Sequence, residues 1–126
     1  FFHLSGYKYR MSRNLSTNPY KLLVVVTSLP NLEVAKGLAR ALVEENLAAC
    51  VQLTEGVQSI YRWENKVCEE HEVLLAAKTT ESKWLEISAY IQNTHPYDLP
   101  EILAFSPERY DEQYGKWVES EVNSKS

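Results

Sequence analysis

The stretch LAACVQLTEGVQSIYRWENKVCEEHEVLLAAKT runs from Leu47 to Thr79 and decides the fold. LAACVQL is short and apolar, as a strand is, and TEGVQSIYRW continues in extended character. Gly56 marks a bulge or bend within one long strand. ENK, Glu64 to Lys66, supplies a hairpin turn with Asn65 where positive φ is tolerated, and VCEEHEVLLAAKT returns as the partner strand.

The flanks extend this hairpin in both directions. YKLLVVVT, Tyr20 to Thr27, holds a continuous apolar run rich in β-branched residues, which predicts a central strand buried on both faces. Asn31 is a candidate N-cap for a helix carrying Val34, Ala35, Leu38, Ala39, Leu42 and Val43 on one side, ended by Asn46 in a left-handed conformation. Thr80 is placed to cap a second helix with Trp84, Ile87, Ser88 and Ile91 on one face. His95 precedes Pro96, a position that disfavours helix, and EILAF reads as a further strand. SPERYDEQYGKWVESEV predicts a terminal helix with Tyr110, Tyr114, Trp117 and Val118 on one side, weakened by Gly115. The order β-α-β-β-α-β plus a final helix is the ferredoxin-like α+β arrangement.

The hairpin is too long for such a domain. Residues 48–63 would span roughly 50 Å at about 3.3 Å per residue, against a radius of gyration of about 13 Å for a domain of this size. Part of it overhangs, and its unpaired edges invite another chain. An oligomer built by strand addition is expected, with Val57, Tyr61 and Trp63 covered by that chain.

With 126 residues the chain holds one domain, assigned to residues 20–122, with 123–126 as a tail. Residues 1–19 carry Lys8, Arg10 and Arg13 and no acid, and are set apart as an extension, a tag remnant or part of a transit sequence. The remaining residues hold ten bases against seventeen acids, a net −7 that argues against nucleic-acid binding. No apolar run approaches the roughly 18 residues of a membrane span. Cys50 and Cys68 have no zinc or disulfide spacing, so a reducing, cytoplasmic location is expected.

LAACV, SIYRWENK, LLAAKTT and HPYDLPEIL occur in this order and spacing in a family they resemble, the CutA divalent-cation tolerance proteins. The resemblance covers about residues 20–122. It implies a ferredoxin-like fold in a compact, stable homotrimer whose long hairpins pair between subunits, similar to the trimer of PII-type signalling proteins. It implies tolerance of copper and other divalent metals in the bacterial branch, copper binding in some members, and in an animal branch the anchoring of acetylcholinesterase at membranes. No enzymatic reaction is established for that family.

Candidate sites follow from both readings. A neutral imidazole at His95 is a good copper ligand, and Glu101 adds an oxygen; the alternative is a histidine capping the preceding helix. Copper-binding relatives carry a second histidine where this chain has Thr94, and a cysteine where it has Val26, so two of three ligands implied by the resemblance are missing. In ENKVCEEHE, strand alternation separates Glu69 and His71 from Cys68, Glu70 and Glu72, and either set is a chelator or simply an acidic solvated hairpin. Cys50, in an apolar strand, reads as a small hydrophobe, and Cys68 as the more reactive thiol. Tyr61, Trp63, Lys78, Tyr97 and Glu101 lie in segments that match the family and form either an inter-subunit cleft for a small anionic ligand or interface packing. There is no P-loop, GxSxG or HExxH, and EGVQSIYR lacks the Gly-Val that an acylphosphatase loop needs after Gln58. The expectation is a non-enzymatic protein with no required cofactor, binding copper or another divalent cation weakly; the alternative is a PII-like trimeric scaffold binding a metabolite or partner protein without metal.

Overall fold

The computed structural model describes residues 18–123. The expected extension at residues 1–19 and tail at 123–126 fall almost entirely outside that range. The elements run β1 (Leu22–Leu29), α1 (Leu32–Glu44), β2 (Cys50–Trp63), β3 (Lys66–Thr80), α2 (Trp84–Thr94), β4 (Leu103–Phe105) and α3 (Glu112–Asn123). One antiparallel sheet has the order β2-β3-β1-β4, the ferredoxin-like order expected from the sequence.

Strand alternation divides the sheet into two faces. Leu23, Val25 and Leu29 of β1 and Val73, Leu75 and Ala77 of β3 point to one side, where Ala35, Leu38 and Leu42 of α1 and Ile87 and Ile91 of α2 close over them. Leu42, Leu75, Ile87 and Ile91 are fully buried, and each contributes about 1.5–3 kcal/mol through burial. The opposite face is only partly covered. The buried residues of α3 are Gly115, Val118 and Val122, and this helix packs chiefly on β3 and β1. Leu103 and Phe105 of the edge strand, opposite Val26 and Val24, are 49% and 56% exposed.

The local signals account for most boundaries. Asn31 Oδ1 accepts the Val34 N–H at 2.9 Å and starts α1; Asn46, at φ 59°, ends it. Glu64 and Asn65 both have positive φ and form the two-residue turn between the paired residues Trp63 and Lys66. Three expectations are corrected. Thr80 does not cap α2: a 3-10 turn, Glu81–Lys83, intervenes, and Thr80 makes no capping bond. The predicted strand EILAF shortens to Leu103–Phe105 because only those residues pair with β1. The terminal helix begins at Glu112, where Asp111 Oδ2 accepts the Tyr114 N–H at 2.9 Å, so Tyr110 lies outside it. Gly115 is no weakness there: a Cβ would come within 2.5 Å of the Tyr110 ring, which occupies that space.

β3 pairs with β1 only through Val73–Thr80. From Val57 to Glu72 the hairpin stands alone as a two-stranded ribbon. Ile60 and Val67 are 66% and 64% exposed on one of its faces. The overhang expected from the length of the stretch is therefore present.

Candidate functional site

The bulge at Gly56 builds the site. Before it, Cys50, Gln52 and Thr54 lie opposite Lys78, Ala76 and Leu74. The register shifts between Thr54 and Val57, and Gly56 takes φ 75°. After the shift Val57, Ser59, Tyr61 and Trp63 lie opposite Glu72, Glu70, Cys68 and Lys66. One inserted residue thus moves the odd-numbered aromatics onto the face that carries Cys68, Glu70 and Glu72.

The segment after α2 forms the facing wall. His95 ends the helix with φ −73° and ψ 140°, the extended backbone its pre-proline position imposes. Its Nδ1 accepts the Tyr97 N–H at 3.1 Å, so Nε2 carries the proton and donates to the Ser28 carbonyl at 2.8 Å. Ser28 Oγ in turn donates to Glu101 Oε1 at 2.9 Å. The Tyr97 ring lies tilted against the imidazole, centroids 4.8 Å apart. The end of β1 therefore fixes both ends of the HPYDLPE bend.

Between ribbon and bend lies a cavity of about 620 Å³. Ser59, Tyr61, Trp63, Cys68, Glu70 and Glu72 line it from the ribbon. Ser28, Tyr97, Asp98, Leu99 and Glu101 complete it. Four carboxylates face this space, and among the described residues no Lys, Arg or His lines it. Glu72 is 9% exposed, and its Oε2 accepts the Tyr97 hydroxyl at 2.7 Å. Tyr97 holds its proton well above the ordinary tyrosine range, first because burial disfavours the phenolate and then because Glu72 accepts its hydrogen bond. Tyr61 is raised too, first by hydrogen bonding to Glu70.

Tyr61, Trp63, Tyr97 and Glu101 all line this cavity of the single chain. Lys78 does not join them: it lies beyond the other end of the bulged register, opposite Cys50, with its ammonium 6.0 Å from the Tyr114 ring centroid. His95 stands behind the wall, both ring nitrogens already hydrogen-bonded, and Val26 and Thr94 supply no ligand. Among the described residues no three His, Cys, Asp or Glu side chains converge as a metal site. Cys50 and Cys68 are both unpaired and half-buried; Cys68 lines the cleft and Cys50 does not. Sequence reasoning missed Ser28, Ser59, Asp98 and Leu99, which nothing in their local pattern singles out. It placed Glu70 and Glu72 on one face with Cys68 but not with the aromatics, since that relation depends on the bulge.

Known proteins carry the same pattern. The CutA1 divalent ion tolerance protein family matches residues 23–121. The divalent-cation tolerance protein CutA of Thermus thermophilus is 42% identical over 95 residues, 75% of this chain and 92% of that protein. The chloroplastic protein CutA of Arabidopsis thaliana is 35% identical over 115 residues, 91% of this chain but 62% of that protein. The chain likewise spans about three fifths of the mouse and human CutA proteins. The solved Thermus thermophilus divalent cation tolerance protein superimposes with a TM-score of 0.78 at 39% identity, covering 81% of this chain and 99% of that one. Matched over nearly all of its described residues, in sequence and in fold, this chain belongs to the CutA1 family of divalent ion tolerance proteins.

Proposed function

We propose that the chain acts in tolerance of divalent cations such as copper by binding them weakly, as a homotrimer and without catalysing a reaction. The observation that carries this is that Glu70, Glu72, Asp98 and Glu101 line one cleft with the Cys68 thiol, spread along its walls rather than converged, which suits weak and unselective binding, and that among the described residues no cationic side chain lines it. Metal at His95 requires breaking the bond to the Ser28 carbonyl, so the cleft carboxylates are the better donors. Titration calorimetry with Cu²⁺ and Zn²⁺ tests it. Weak saturable heat is expected in wild type and His95→Ala, and less in a Glu70→Gln, Glu101→Gln double variant. Heat no greater than that of an acidic control protein counts against the proposal.

The trimer rests on the overhanging ribbon and the half-covered sheet face. Light scattering at micromolar concentration should give three times the chain mass; a monodisperse monomer sinks this part. The two unpaired cysteines support a reducing, cytoplasmic location.

A second reading, a PII-like scaffold whose cleft holds a small molecule without metal, draws on the volume of about 620 Å³ and the aromatic walls. Stabilisation by a small ligand with chelator present separates it from the first.

A further inference from the structure

We draw no further inference here: the strongest candidate, the apolar groove between α1 and the outer edge of β2, lined by Ala39, Val43, Val51 and Leu53 beside Lys36 and Arg40, carries nothing, because nothing in the structure shows what covers it.

Discussion

Replacing Tyr97 by Phe removes one hydroxyl and isolates one interaction. The Tyr97 hydroxyl donates to Glu72 Oε2 at 2.7 Å, and Glu72 is 9% exposed. A hydrogen bond to a charged acceptor is worth about 1.5–3 kcal/mol, a neutral one about 0.5–1.5 kcal/mol. Tyr97→Phe should therefore lower the unfolding free energy by about 1.5–3 kcal/mol in wild type and by only about 0.5–1.5 kcal/mol when Glu72 is already Gln, a coupling of about 1 kcal/mol. Guanidinium denaturation of the four proteins at one concentration measures it, so that any assembly enters each curve alike. The same contact predicts a pH dependence. The folded state holds the Tyr97 proton more tightly than the unfolded chain does, because of burial and then Glu72. Above the ordinary tyrosine value of about 10 the unfolded chain releases that proton first, so stability falls as pH rises, and below about pH 10 the contribution is complete. Tyr97→Phe removes this slope while Tyr61 stays in both proteins. Equal costs in the two Glu72 backgrounds, or parallel stability curves above pH 10, would refute the reasoning.

The glycines make further predictions of opposite sign. Gly37 sits exposed within α1 with nothing near its missing Cβ, so Gly37→Ala should raise stability by about 0.8–1 kcal/mol in the same denaturation assay. Gly56 also has open space around it but holds φ 75°, so Gly56→Ala should cost about 1–2 kcal/mol through the backbone alone. Gly115→Ala should be destabilising by about 1–3 kcal/mol because the new methyl meets the Tyr110 ring, and should turn stabilising by about 1 kcal/mol once Tyr110 is Ala, when only helix propensity is left. A gain from Gly115→Ala with Tyr110 intact would remove the packing account of that glycine.

The architecture was legible because its determinants are local. Leu22 to Val26 are apolar at consecutive positions and lie in the central strand Leu22–Leu29; Asn31 and Asn46 bound the first helix; Gly56, Glu64 and Asn65 give the hairpin its bulge and turn. The errors lie where tertiary contacts override local pattern. EILAF is apolar throughout, but strand length is set by what β1 can pair, and only three residues qualify. Gly115 looks unfavourable in a helix until the Tyr110 ring occupies the place of its side chain. In the site, the aromatics, Glu101 and Lys78 were grouped by their positions in motifs, and within one chain only the aromatics and Glu101 line the cleft. Lys78 shares a strand with Glu72, yet six residues of β3 carry it to the far end of the sheet.

His95 shows why residue type alone misleads about a site. An imidazole beside two carboxylates in a proline-bounded bend has the composition of a metal ligand set. The proton positions decide otherwise: Nδ1 accepts a backbone N–H two residues on, which places the proton on Nε2, which then donates to Ser28. Both nitrogens serve the bend, and the bend presents Tyr97, Asp98 and Glu101 to the ribbon. The histidine's influence on the cleft therefore passes through position, whereas Glu72 lines the cleft itself, set opposite Val57 by a bulge sixteen residues before it in the chain. A substitution at His95 should loosen the wall, and one at Glu72 should remove the acceptor that holds the Tyr97 hydroxyl.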